Sequence, residues 1–399
     1  MEEWKEYRLC DVANVQTGPF GSQLHNKDYV LKGTPIVTVE HLGSREFTTQ
    51  NLPCVSDADK ERLNRYSLEE GDIVFSRVGS VDRCSFVFSK QSGWLFSGRC
   101  LRVRPSKIIQ PMFLYYFLQQ NEVKQLIRNI AVGATMPSIN TKLLSELKVT
   151  APQIITQQKI SSILSSLDDK IEVNRRINDN LEQQAQALFK SWFIDFEPFK
   201  AQPFVESKLG MIPEGWRVGS IFDVAEIHDK KRRPLSSNER SSMEKIYPYY
   251  GATSCMDFVN DYIFDGIYTL IGEDGSVVDE EGFPYIQYVW GKFWVNNHAH
   301  ILQGKNGFST EMIHVLLSKT NIRHLITGAV QAKLSQTNMK KILIVIPPSE
   351  ILDSIRPIID HFYHMKRINE DESLRLTEIR DALLPRLMSG ELKVNDVEL

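Results

Sequence analysis

Two stretches of this chain carry one hydrophobic pattern, 195 residues apart. Between Pro152 and Phe193, apolar side chains fall at Ile160, Ile163/Leu164, Leu167, Ile171, Ile177, Leu181, Ala185, Leu188 and Trp192. The spacing alternates between three and four, the seam of a long helix that packs on another helix. The second stretch repeats it at Ile355, Ile358/Ile359, Phe362, Leu376, Ile379 and Leu383. Where an apolar residue is due, the first seam has Asn174 and the second Asn369. A lone polar residue in a seam costs stability and fixes register. The pattern therefore predicts two partner helices. Ile160, Leu167, Asn174, Leu181 and Leu188 pair them from one side, and Ile355, Phe362, Asn369, Leu376 and Leu383 from the other.

Antiparallel pairing is expected. With Asn174 facing Asn369, Leu167 meets Leu376, Ile160 meets Leu383, Leu181 meets Phe362 and Leu188 meets Ile355. A parallel pair would match as well in hydrophobicity but would need a connection along the full helix, and connections are usually short. The expected shape is a rod with one mixed domain at each end, about a pseudo-two-fold axis. A helix of about 38 residues spans roughly 57 Å.

The remainder of the chain is also written twice. Trp4 leads through an apolar segment to Asp11-Val12-Ala13, and Trp216 does the same to Asp223-Val224-Ala225. The first copy continues into a loop of small residues, TGPFGSQL (17–24), able to turn sharply or approach a ligand. The second continues into Lys230-Lys231-Arg232-Arg233-Pro234. Strand-like runs at 71–76 and 266–271 lead to Gly-Ser-Val turns, and Trp94-Leu95-Phe96 matches Trp294-Val295-Asn296. Helical segments are expected at 111–130 and 310–326, and the second long helix should bend or stop near Pro385. With Lys190 at the matching place, the first can run on toward Glu197-Pro198. The fold class is α+β: a mixed αβ domain over 1–151, a helix over 152–200, a second mixed domain over 201–348, and a helix with tail over 349–399. The two helices pair as an antiparallel coiled coil.

Composition narrows this only slightly. The 399 residues are 42% hydrophobic, ordinary for a soluble globular chain. The longest apolar runs, 112–118 and 342–346, are too short for a bilayer, and MEEWKEYR is no secretory signal. Five cysteines without a CxxC pair read as reduced thiols in the cytoplasm. A net charge of −3 neither supports nor excludes a nucleic-acid ligand; only local clusters could.

Catalytic signatures are missing from the sequence: no P-loop, no Gly-rich dinucleotide fingerprint, no Asn/Asp-Pro-Pro-aromatic motif of amino-methylating enzymes. His298/His300 and His361/His364 have the spacing of metal pairs, but no neighbouring run of carboxylates or thiols marks them as ligands. The chain is therefore expected to bind no metal or cofactor of its own and not to be an enzyme alone. A duplicated pair of diverged domains on a spacer suits a ligand with two recognition elements, as two-fold proteins match DNA half-sites about 34–36 Å apart. Candidate contacts in the first half are Gln23, His25, Lys27, Arg77, Arg83, Arg99, Arg102 and Arg104. In the second they are Lys230, Lys231, Arg232, Arg233, Tyr249, Tyr250, Asn296, Asn297, Gln331 and Lys333. Arg, Asn and Gln can bond base edges bidentately, whereas Lys mostly meets phosphate. Taken singly, each is more often a solvated surface residue; the run 230–233 is the strongest signal.

Several phrases carry a resemblance over nearly the whole chain: GDIVFSRVGSV (71–81), GATMPSINTKLL (133–144), SSLDDKIEVNRRINDNLEQQAQALFKSWF (165–193), YPYYGA (247–252) and LRLTEIRDALLPRLMSGEL (374–392). Together with the duplication, they make the chain similar to the specificity subunits of type I restriction–modification systems. The resemblance implies two target recognition domains, each reading one half of a bipartite asymmetric site in double-stranded DNA. It implies that the helices dock two modification subunits, which hold S-adenosylmethionine and methylate adenine, and that restriction subunits join through that complex. Membrane attachment is not implied. The alternatives are a coiled-coil scaffold that binds no DNA, and a specificity subunit of another restriction class.

Overall fold

The structure, a computed structural model, describes residues 4–21, 23–328 and 331–396. Residues 1–3, Ser22 of the small-residue loop, 329–330 and the last three of the tail lie outside the described residues. Two compact units result: residues 1–172 with 373–399, and residues 173–372.

Ile154–Phe193 and Ser349–Met388 are continuous helices of 40 residues each. In the first unit, Ile160 and Leu164 share a core with Leu383, Leu384 and Leu387, and Arg380 Nη1 lies 2.7 Å from Asp168. In the second, Ala185 and Phe189 share a core with Ile355, Ile359 and Tyr363, and Lys366 Nζ lies 2.7 Å from Glu182. Early residues of one helix meet late residues of the other in both units, so the helices are antiparallel, as expected. Asn174 and Asn369 are both buried.

The seam nevertheless departs from its expected path. Beyond Asn174 the buried positions are Asn178, Ala185, Phe189 and Phe193, while Ile177 is 42% exposed and Leu181 and Leu188 are half-buried. On the partner helix Ile358 and Ile379 are exposed, and Phe362, Leu376 and Leu383 half-buried. Asn178 and Ala185 keep strict heptad spacing from Ile171, a place that Ile177 misses by one. An α-helix turns every 3.6 residues, so a 3.5-residue stripe drifts about 20° per heptad, which brings Phe189 and Phe193 to the contact in place of Leu188 and Trp192. The helix ends differ too. The first helix does not reach Glu197: the amides of Ile194 and Asp195 both bond the Lys190 carbonyl, and Phe196 takes a left-handed φ of 51°. The second runs through Pro385 to Met388, because Leu384, Leu387 and Met388 are buried and hold the last turn on the core.

The strands of the first unit are β1 (Lys5–Arg8), β2 (Ala13–Thr17), β3 (Tyr29–Val30), β4 (Thr34–Val37), β5 (Cys54–Val55), β6 (Ile73–Ser76), β7 (Cys84–Phe86), β8 (Leu95–Phe96), β9 (Cys100–Pro105) and β10 (Lys148–Ala151). They form a sheet in the order β2-β9-β6-β7, a second in the order β3-β5-β4-β8, and a ribbon of β1 with β10. Every residue of β6 is buried, which is why its sequence runs apolar instead of alternating. Helix α1 (Pro111–Gln119) fills the core; Gln120 breaks it from α2 (Asn121–Ile130), which buries Val123 and Ile127.

The second unit has β11 (Phe204–Ser207), β12 (Gly210–Pro213), β13 (Arg217–Ser220), β14 (Ala225–Ile227), β15 (Tyr247–Tyr250), β16 (Cys255–Val259), β17 (Phe264–Gly272), β18 (Ile286–Val295), β19 (Ala299–Gly304) and β20 (Leu343–Ile346). One six-stranded sheet runs β14-β19-β17-β18-β15-β16, and β13 pairs with β20. The ten-residue β18 takes the place of β7 and β8 together. It pairs antiparallel with β17 and, at its end, parallel with β15, as β8 does with β4. One continuous strand thus joins what the first unit keeps as two sheets. The register sets Leu95 beside Ile36 and Trp294 beside Tyr249, so Leu95 corresponds to Trp294, one residue off the match made through tryptophan. Helix α3 (Thr310–Ser318) answers α1, but only a 3-10 turn at Arg323–Leu325 follows it.

Candidate nucleic-acid interface

In each unit the loops that leave one edge of the sheet are bonded to one another. In the first unit these follow β2, follow β6 and join β8 to β9. Gly18 donates its amide to Cys100 (3.2 Å), Arg77 donates to the Arg99 carbonyl (2.8 Å), and Ile139 and Gly79 tie in the segment 132–139 through Arg77 and Pro137. A Cβ on Gly18 would sit 2.1 Å from the Ser97 oxygen, and one on Gly98 would sit 2.3 Å from the Pro19 oxygen. The glycine of the small-residue loop thus serves an approach to the protein's own backbone. Phe20, half exposed, lies under the Arg77 guanidinium at 5.1 Å from ring centre.

The first-half candidates separate by environment. His25, Lys27, Arg83 and Arg99 are exposed. Arg83 bonds the Leu42 carbonyl, whereas the Arg99 side chain makes no bond to a described residue. Gln23 accepts from the Tyr66 hydroxyl (2.7 Å), and its carbonyl accepts from Arg62 (2.6 Å). Arg102 is only 6% exposed, against Asn14 and the Ser67 carbonyl; burial pushes its guanidinium down, with Arg104 adding to the effect. Arg104 is spoken for by buried Asp72 (2.7 Å) and by Glu69 (2.6 Å). These two arginines hold the strand β9 in place.

The second unit splits its four-cation run three to one. Lys230, Lys231 and Arg233 are exposed, while Arg232 turns inward with its side chain 14% exposed. Its Nη1 donates to Glu273 (2.6 Å) and to the carbonyls of Ala299 (2.8 Å) and Asn297 (3.3 Å). Around it, buried Asp229 accepts from His300 Nδ1 (2.6 Å), Gln336 (2.5 Å) and the Ile301 amide (3.0 Å), and Lys333 lies 3.3 Å from Glu273. Burial alone would raise the Asp229 carboxyl, but the His300 hydrogen bond and the nearby Arg232 hold it below the usual range. This network braces the loops after β14, β17 and β18 to the segment 331–336.

Asp229, Glu273 and His300 bring their ligand atoms within 4.8 Å of one another, the one such group of three among the described residues. The carboxylates that sequence spacing could not connect to His300 are therefore present. The group does not suit a cation. Both ring nitrogens of His300 are engaged, Nδ1 with Asp229 and Nε2 with the Leu334 carbonyl (2.7 Å), and Arg232 and Lys333 pair with the acids. His298 pairs outside this group with Asp274.

Other second-half candidates belong to the interior. Tyr249 is 1% exposed, its hydroxyl accepting from the Leu235 amide (3.0 Å) under the Arg240 guanidinium. Tyr250 packs on Phe293, and burial pushes its hydroxyl up to about 12. Buried Asn296 accepts from the His298 amide (2.8 Å). Asn297, Gln331 and Lys333 remain exposed.

Both units share a loop on which sequence reasoning placed candidates in the second half, Gln331 and Lys333, but none in the first. Val132 bridges to Ser138 beside Val78 in the first unit; Thr327 bridges to Lys333 beside Asp274 in the second. Their positions differ by 195, and in the sequence Gly133-Ala134 is repeated as Gly328-Ala329, so the repeat was visible. Met136, 66% exposed, is carried on the first of these loops.

The chain belongs to the type I restriction modification DNA specificity domain family, which it matches over residues 1–183 and 213–378. The MjaIX type I restriction enzyme specificity subunit of Methanocaldococcus jannaschii is 29% identical over 419 residues, covering 99% of this chain and 95% of the relative. The HindI specificity subunit of Haemophilus influenzae is 25% identical over 98% of this chain and 100% of its own length. The crystal structure of a type I restriction–modification S subunit from M. genitalium shares the fold, with a TM-score of 0.60 at 17% identity over 97% of this chain and 96% of that one. No helix among the described residues is long and apolar enough to cross a membrane.

Proposed function

We propose that this chain is the DNA-recognition subunit of a type I restriction–modification complex, each unit reading one half of a bipartite site. The observation that carries it is the repeated plan of the sheet edge. In both units, loops from corresponding strands are bonded together there and present exposed cations, Lys27, Arg83 and Arg99 in one and Lys230, Lys231, Arg233 and Lys333 in the other. Exposed arginine and lysine suit phosphate contact and base-edge reading, while Arg102, Arg104, Arg232, Tyr249 and Asn296 support the loops from within.

On this reading the paired helices dock two modification subunits, S-adenosylmethionine is held by those subunits, and restriction subunits join through them. The chain itself transfers no methyl group and cuts no strand. The Asp229–Glu273–His300 group favours the absence of metal-dependent cleavage, since Arg232 and Lys333 already pair with its carboxylates and both His300 ring nitrogens are engaged. The test is to map methylated adenines in DNA exposed to the chain with its neighbouring modification subunit. A two-part asymmetric motif supports the proposal; methylation by the purified chain without a partner, or no sequence preference with it, refutes it.

A further inference from the structure

The second unit carries an open strand edge that the first unit guards. β20 pairs only with β13 among the described residues. Ile221 donates to the Ile342 carbonyl (3.0 Å), and the register places Gly219 opposite Ile344. The Ile342 carbonyl and the main-chain groups of 344 and 346 therefore face β13, and those of Leu343 and Val345 face away. An unpaired edge is a template for another strand, and proteins commonly blunt it with lysine. The first unit does so: the residue matching Leu343 on β10 is Lys148, 72% exposed and 2.9 Å from Glu6. Thr150 matches Val345. Leu343 itself is 42% exposed.

Beside this edge lies a groove of about 390 Å³. Its floor includes Phe193, Leu316 and Leu325, and exposed Ile194 and Leu209 stand at its side. The groove exists where the two units differ in length. From the start of α1 to the start of β10 is 37 residues (148 − 111), but from α3 to β20 only 33 (343 − 310). The loss of four residues, one helical turn, replaces α2 with the 3-10 turn that lines the groove. The rim carries Lys319, His324 and Lys341, and no carboxylate is among the lining residues.

We infer that β20 and this groove dock an extended segment of the modification subunit, which adds as a third strand beside β20. Its alternate apolar side chains enter the groove and its flanking carboxylates meet Lys319 and Lys341. This rests on the proposed assembly with modification subunits and adds a contact outside the paired helices.

Hydrogen exchange of the full chain, alone and with the modification subunit, tests it at single amides. At least tenfold slower exchange of Leu343 and Val345 in the complex is expected. Leu343→Lys, which imports the residue of the first unit at an exposed position, should weaken assembly tenfold or more without lowering the melting temperature of the chain. A complex that forms with unchanged exchange at both amides overturns the inference and leaves the proposed function standing. Weakening by Leu343→Lys without amide protection overturns strand addition. Failure of any complex to form overturns the assembly reading, and this inference with it.

Discussion

Asn174 donates its side-chain amide to the backbone carbonyl of Asn369 at 3.3 Å, from one long helix to the other. The contact is the start of a ladder. Asn174 also donates to Glu372 (2.7 Å), Asn369 donates to Asn178 (2.8 Å), and Asn178 donates to the Lys366 carbonyl (3.2 Å). Each bond works only in one register, whereas neighbouring apolar residues tolerate a slip. Asn369→Leu should therefore cost roughly 1–3 kcal/mol, because it strands the Asn178 oxygen in a buried seam. Replacing Asn174, Asn178 and Asn369 together by leucine should recover most of that stability. Urea titration of the single and triple variants measures both; a triple variant less stable than the single one contradicts the account.

His314 predicts acid sensitivity of the second unit. Burial lowers its pKa from 6.5 to about 4, since no close carboxylate compensates fully. The folded protein thus refuses a proton that the unfolded chain accepts below about pH 6.5. Stability attributable to this group is complete above that pH and falls as pH drops toward 4, by roughly 3 kcal/mol across the window. His314→Phe should flatten the dependence of urea midpoint on pH between 6.5 and 4.

The cations of the basic run should separate by experiment. Lys230→Ala with Lys231→Ala should leave the fold unchanged. It should reduce the slope of log affinity against log salt by about 0.9 for each phosphate that the chain no longer neutralises. Arg232→Ala should instead destabilise the chain, by roughly 3–5 kcal/mol, because it leaves Glu273 and Asp229 buried and short of a partner. Salt-dependent DNA binding in the assembled complex and thermal melting of the chain distinguish the two classes.

Gly18→Ala should disrupt the first unit, since its Cβ meets the Ser97 oxygen at 2.1 Å. A cost of about 1–3 kcal/mol is expected from such overpacking. Gly21→Ala, with nothing within 4 Å of its Cβ, should melt like the parent.

Thiol labelling should sort the cysteines. Cys10 and Cys255 are exposed and should react in the native chain. Cys84 and Cys100 are buried, and burial pushes both thiols up to about 12, so they should react only on unfolding.

The helices were legible because their period is local, and it identified both asparagines. Asn178 occupies the strict heptad place, seven residues after Ile171 and seven before Ala185, but it escaped because it is polar and its apolar neighbour Ile177 was taken in its stead. The duplication was legible from repeated phrases, but the fusion of β7 and β8 into β18 was not, since it depends on pairing with β4 and β15. The four cations at 230–233 were visible as charge. The inward turn of Arg232 was not, because its partners, Glu273 and the carbonyls of Asn297 and Ala299, stand 41 to 67 residues away.

The division of the chain also sets an order of synthesis. The second unit is one uninterrupted segment, residues 173–372, and is synthesised in full before residues 373–399. The first unit begins earlier but needs residues 373–399: Leu384, Leu387 and Met388 belong to its core, and Gly390 lies against Trp4. The domain translated first is thus the one that finishes last. Until Leu384, Leu387 and Met388 are made, the apolar stripe of Ile160 and Leu164 waits without its helical partner, so a stop codon just before them would damage the beginning of the protein.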